Sequence, residues 1–358
     1  MAMNIEKMEE GEASRAPPPK ENTTPQINWY LLSLNCALTA VGTIAGPLLV
    51  RLYYLHGGNR KWLTSWLQTA GFPFLLPPLS FLYLRERARG VNKHFLAEPK
   101  LLLSSAAIGL LVGLDNFMYS QGLSLLPVST SSILFATQLA FTALFALIIV
   151  KQRFSPYSIN AVVLMTLGSV LLGIRKSGDR PPGVSNAQYL LGFVFTLGAA
   201  AVLGFVLPCV ELAYANASKA ITYPVVLQFQ FNTTLFATIF CTIGMIVNKD
   251  FSAIAREAAA YELGATKYYL VLIGCALVFQ MVFVGALGVV FCTSSLFAGI
   301  LSAALLPVTE IAAVIVFKEK FTGEKGMSLV LCLWGFISYF YGSYRSDKKQ
   351  VSKEEESK

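Results

Sequence analysis

Gly122-Leu123-Ser124-Leu125-Leu126-Pro127-Val128-Ser129-Thr130-Ser131-Ser132 opens a passage that closes at Lys151-Gln152-Arg153-Phe154, and the chain then writes the passage again. Gly285-Ala286-Leu287-Gly288-Val289-Val290-Phe291-Cys292-Thr293-Ser294-Ser295 leads through a second hydrophobic stretch to Lys318-Glu319-Lys320-Phe321. Glycine and Thr-Ser-Ser keep the same offset, 163, whereas the closing basic-x-basic-Phe sits at offset 167. The second copy has therefore gained about one helical turn. Duplicated hydrophobic halves are the mark of a transporter built from structural repeats around a central site.

Working outward, Trp29-Tyr30-Leu31-Leu32 is echoed by Gln188-Tyr189-Leu190-Leu191, Leu67-Gln68 by Leu227-Gln228, and Gly168 by Gly335. Ten apolar runs carry these echoes: 28–50, 62–84, 101–122, 129–150, 156–174, 187–210, 222–247, 268–290, 294–317 and 325–344. Each approaches the roughly 20 residues needed to cross hydrocarbon. In lipid every backbone polar group must be satisfied internally, and runs of this length do so as helices. The composition agrees, with 55% hydrophobic and 13% charged residues. A soluble domain carries about a quarter charged.

Five spans per half is an odd number, so equivalent helices cross in opposite directions. The predicted fold is an all-α integral membrane protein of ten transmembrane helices in two inverted five-helix repeats. Residues 1–27 form a polar tail, 28–174 the first repeat, 175–186 a linker, 187–344 the second repeat and 345–358 a charged tail. Sixteen Lys and Arg fall on the face holding both termini and twelve opposite. That bias predicts cytosolic termini. Asn22-Thr23-Thr24 and Asn216-Ala217-Ser218 match the glycosylation pattern on that same face, and glycans there would reverse the orientation.

The net charge of +8 is spread over short loops and a tail, and predicts contact with anionic headgroups, not with nucleic acid. No Gly-Lys-Ser/Thr phosphate loop is present, against ATP-driven pumping. His56 and His94 lie in predicted loops, which leaves an intramembrane hydrolase without its base. All six cysteines fall in spans or at their ends without metal-ligand spacing and read as packing residues. No enzyme and no bound cofactor are expected; the coupling ion would be a proton.

An ionised side chain at the centre of an inserting helix costs roughly 2.5–3.5 kcal/mol, so intramembrane acids need a reason. Asp115 lies about 22 Å along a helix from Lys100, beside Asn116 and on one face with Tyr119. Glu310 follows Pro307, which breaks or kinks a helix, and Glu211 follows Pro208 at a span end. These three are the candidate proton carriers. Gln68, Asn116, Gln138, Gln228, Asn232 and Gln280 put six amides in the spans. Amides with many aromatics suit a flat, neutral, nitrogen-rich ligand, with Trp66 as the stacking candidate and Trp29 and Trp62 as interface anchors. The predicted substrate site is Trp66, Asp115, Asn116, Tyr119, Gln138, Gln228, Gln280 and Glu310. Each amide could equally be interhelical glue.

Gly42-Thr43-Ile44-Ala45-Gly46-Pro47-Leu48-Leu49-Val50-Arg51-Leu52-Tyr53-Tyr54 resembles the plant purine permease family of the drug/metabolite transporter superfamily. So do Gly57-Gly58-Asn59-Arg60-Lys61-Trp62, Gly113-Leu114-Asp115-Asn116, Tyr119-Ser120-Gln121-Gly122-Leu123 and Leu306-Pro307-Val308-Thr309-Glu310. The resemblance covers about residues 28–344. It implies ten helices in two inverted repeats and proton-coupled uptake across the plasma membrane. Adenine, cytokinins and other purine derivatives are the implied substrates, with alkaloids or pyridine compounds for some members. A facilitator or exporter of alkaloids or vitamins on the same fold is one alternative, and a non-transporting membrane receptor or scaffold another.

Overall fold

Several helix starts are written into the chain as local signals. Asn28 Oδ1 accepts from the Leu31 amide at 3.2 Å and begins α1 (Trp29–Leu55). Ser185 and Gln188 form a reciprocal capping box that begins a 30-residue helix, Asn186–Ala215. Pro224 occupies the first turn of Tyr223–Val247, where its missing N–H costs nothing. The computed structural model describes residues 28–88, 99–126, 131, 134, 135, 137–151, 154–173, 184–217, 221–317 and, beyond them, 323, 326, 327, 330, 331, 333–342 and 345. The two tails, most of the 175–186 linker, Thr130, Ser132 and the Lys318–Phe321 motif lie outside the described residues, as does the side chain of Glu310.

In chain order the helices are α1, α2 (Lys61–Thr69), α3 (Leu76–Ala88), α4 (Pro99–Leu125), α5 (Gln138–Phe145), α6 (Pro156–Gly173), α7 (Asn186–Ala215), α8 (Tyr223–Val247), α9 (Asp250–Ala260), α10 (Ala265–Cys292), α11 (Ser295–Phe317) and α12 (333–342). Among the described residues there is no strand. α1, α4, α7, α8, α10 and α11 are each long and apolar enough to cross a membrane. Leu103, Leu190, Val194, Ile243, Ile315 and Val316 stand exposed on them. Such a belt is intolerable in water and fits acyl chains. The chain is a multi-pass, all-α integral membrane protein.

Two differences from the sequence reading have local causes. The run 62–84 is not one helix: α2 ends at Thr69, a 3₁₀ turn covers Phe72–Leu75, and α3 follows. Pro73, Pro77 and Pro78 remove three donors within six residues, so the ladder breaks there. The loop expected between the runs 222–247 and 268–290 contains α9. It is bracketed by Lys249 and Gly264 with positive φ (58° and 87°), which turn the chain sharply at both ends.

The most extensive pairings set α1 along α10 and α4 along α7. α4 also packs on α8, α2 on α10, α5 on α7, and α1 on α11. α6 and α12 meet through Asn160 Nδ2, which donates to Ser338 Oγ at 2.9 Å, and through Tyr157 against Tyr341. Glycine sets the α1–α10 spacing. A β-carbon on Gly42 would come 2.7 Å from the Val282 nitrogen and 2.8 Å from the Val278 carbonyl oxygen. Such close approach is the usual way for helices to pack in lipid, where no hydrophobic force drives them together.

Candidate functional site

α1, α2, α4, α5, α7, α10 and α11 enclose a cavity of about 100 Å³ near the centre of the bundle. α4 supplies Asp115, Asn116 and Tyr119, which fall within little more than one turn. α2 supplies Gln68, just before the proline-induced break, and Gln138 stands at the start of α5. α1 contributes Gly42, Thr43 and Pro47, α10 contributes Phe279 and Phe283, and α11 contributes Ser302 and Leu306.

The polar groups are deeply placed. Asp115 is 3% exposed, Asn116 2%, Gln68 2% and Gln138 6%. Asp115 Oδ1 and Asn116 Nδ2 are buried with no hydrogen-bond partner among the described residues. An unsatisfied buried polar group costs about 1–3 kcal/mol, so each of these two atoms calls for a partner, a water or a ligand. Much of the remaining wall is aromatic. The Tyr119 and Phe135 rings lie 4.9 Å apart, inclined at 52°, and Phe279 and Phe283 stand on α10. Flat faces and a few convergent polar edges are the usual makings of a small-molecule site.

Of the eight residues expected from sequence to bind substrate, Asp115, Asn116, Tyr119 and Gln138 line this cavity. Trp66 does not. Its Nε1 donates to Thr242 Oγ1 at 3.0 Å and its ring meets Phe251 edge-on, which joins α2 to α8 and α9. Gln280 is fully buried one position from Phe279, and both its amide atoms lack a partner among the described residues. It is not on the cavity wall, and neither is Gln228 on α8. Glu310 stands on α11 one turn beyond Leu306. Trp62, read as an interface anchor, stacks on Phe117 with ring centres 3.9 Å apart.

Glu211, the third candidate proton carrier, lies at a helix junction. Its Oε2 accepts from the Ser295 amide at 2.7 Å, so it caps the N-terminus of α11, where an anion is favoured. Gln68 is the cavity-lining amide that the expected substrate site left out. Its Nε2 donates to Ser120 Oγ and to the Thr64 carbonyl oxygen. The available signal was its spacing: Gln68 is one of the intramembrane amides and belongs to the Leu67-Gln68 echo.

The family model for purine nucleobase transmembrane transport matches residues 30–349. Purine permease 3 of Arabidopsis thaliana is 45% identical over 331 residues, covering 91% of this chain and 94% of that protein. Purine permease 2 of the same plant is 44% identical over 339 residues, with 90% and 95% covered. A protein of known crystal structure has the same fold at a TM-score of 0.56 and 16% identity, over 85% of this chain and 98% of its own. A membrane-embedded bundle, a buried polar and aromatic cavity and near-full-length similarity agree: the chain belongs to the purine permease family, a family of transporters and not of enzymes.

Proposed function

We propose that this protein is a proton-coupled importer of purines and purine derivatives, adenine and cytokinins among them, working by alternating access across the plasma membrane with both termini in the cytosol. The observation that carries the reading is the pair Asp115 and Asn116, buried and unpartnered on the wall of a central cavity faced with aromatic rings. Asn116, Gln68 and Gln138 read the edge of the heterocycle, while Tyr119, Phe135, Phe279 and Phe283 cover its faces. Asp115 takes up the proton. It takes the proton while the cavity opens to the outside and gives it up when the cavity opens to the cytosol.

The architecture behind this is ten transmembrane spans in two inverted repeats, 28–174 and 187–344. The sequence offsets map α1 onto α7 and α4 onto α10. A two-fold relation between the halves would then turn the α1–α10 pairing into α7–α4, which is the other extensive pairing. The same exchange turns α4–α8 into α10–α2 and α5–α7 into α11–α1, and both are present. These correspondences support two halves that rock about a site between them.

One proton moving down roughly 150 mV releases about 3.5 kcal/mol. At about 1.4 kcal/mol per tenfold, that sustains an accumulation of a few hundred-fold. Uptake of labelled adenine in a host lacking its own purine carriers tests the reading, with cytokinins, nucleosides, alkaloids and vitamins as competitors. Accumulation above the outside concentration that a protonophore collapses supports it. Equilibration insensitive to the protonophore would make the chain a facilitator.

A further inference from the structure

The two ends of the Gln68 amide are told apart by their neighbours. Nε2 donates to Ser120 Oγ at 3.0 Å and to the Thr64 carbonyl oxygen at 3.3 Å. A backbone carbonyl can only accept, so an amide turned over would set oxygen against oxygen. The nitrogen is therefore committed to the protein. Ser120 is fully buried and follows Tyr119, a cavity residue, on α4. Gln68 itself lines the cavity, and among the described residues no donor reaches its Oε1. What this amide has left to offer is an acceptor.

We infer that Gln68 is a specificity-determining residue: its Oε1 accepts from an N–H of the bound heterocycle, and Ser120 with the Thr64 carbonyl are the positioning groups that hold it in that sense. The inference rests on the reading of this cavity as the heterocycle site. Asn116 Nδ2, buried without a partner, supplies a donor on the same cavity. Together they read one donor and one acceptor on the ligand, and a ligand lacking the donor leaves the Gln68 oxygen dry and unpaired. Sites built in this way reject analogues that lack the matching group far more strongly than sites relying on shape alone.

The test measures binding and transport by the purified full-length protein. The ligands are adenine, 6-methylpurine (same outline, no exocyclic N–H), 9-methyladenine (no N–H at that ring position) and 7-deazaadenine (one ring acceptor removed, N–H groups kept). We expect wild type to lose about tenfold or more in affinity for at least one of the two N–H-deleted analogues. Gln68→Met should bring that penalty to within about twofold of adenine, since the acceptor is gone. Ser120→Ala should shrink the same penalty partway. The 7-deazaadenine penalty should be unchanged in both variants, a selectivity that simple loss of packing would not produce.

A wild type indifferent to both N–H deletions overturns the inference, and so does a penalty that survives Gln68→Met. If Gln68→Met does not fold, Ser120→Ala decides, and an unaltered N–H penalty overturns it. Adenine that binds with this pattern but is not transported would sink the importer reading and leave the Gln68 assignment standing. No purine binding at all sinks both.

Discussion

Individual side chains divide into those whose chemistry was plain from their type and those whose role depended on where a helix turned. Asp115 and Asn116 were legible: two polar residues far from either end of an apolar run have few uses, and both reached the cavity. Trp66 was not. Its residue type suggested stacking, but the face of α2 that carries it points to Thr242 and Phe251, while Gln68, two positions on, reaches the cavity. A helix rotates by about 100° per residue, and a short apolar sequence does not say which face looks inward. Trp66→Phe should therefore lower stability by about 0.5–1.5 kcal/mol through the lost Thr242 bond, with the KM for adenine unchanged. Thermal unfolding and uptake kinetics on one preparation check this, and a several-fold rise in KM would return Trp66 to the substrate site.

At the scale of elements, the runs of apolar residues located the helices well because length and hydropathy are averaged over many positions. What escaped was punctuation: the break in 62–84, and α9. α9 helps tie down one end of the bundle. Glu257 accepts hydrogen bonds from Tyr53 and, at 3.2 Å, from Tyr268, and it pairs with Arg60, which also pairs with the fully buried Asp250. This network joins α1, the α1–α2 turn, α9 and α10. Glu257→Ala leaves both hydroxyls short of an acceptor and takes away one of the two carboxylates paired with Arg60. It should cost about 1–3 kcal/mol, read as a lower midpoint of thermal unfolding, with Glu257→Gln costing less. Gly42→Val should be worse for packing than for chemistry. Its branched side chain meets the backbone of α10 at Val278 and Val282, which cannot yield as a side chain does. A loss of about 1–3 kcal/mol or of expression is expected. Wild-type stability in that variant would show that α1 and α10 are not so closely apposed.

For the whole molecule, the proposed repeat rests on matched spacing, the trace that a duplication leaves even where residues drift. Gly122 and Gly285 kept their distance from Thr-Ser-Ser while most residues between them changed. Orientation was less legible, since the loops of one half oppose those of the other in charge, as expected for a copied and flipped unit. An epitope tag on either terminus should be detected only after permeabilisation of intact cells, and neither Asn22 nor Asn216 should carry a glycan. A tag accessible from outside would reverse the assignment.

Coupling of purine movement to protons through Asp115, as proposed, is tested in proteoliposomes holding only the purified chain, with an acid exterior and labelled adenine outside. Wild type should concentrate adenine above the external level, whereas Asp115→Asn should lose dependence on the pH gradient. Undiminished gradient-driven accumulation in Asp115→Asn, or adenine in wild type that never exceeds equilibrium, would contradict the account.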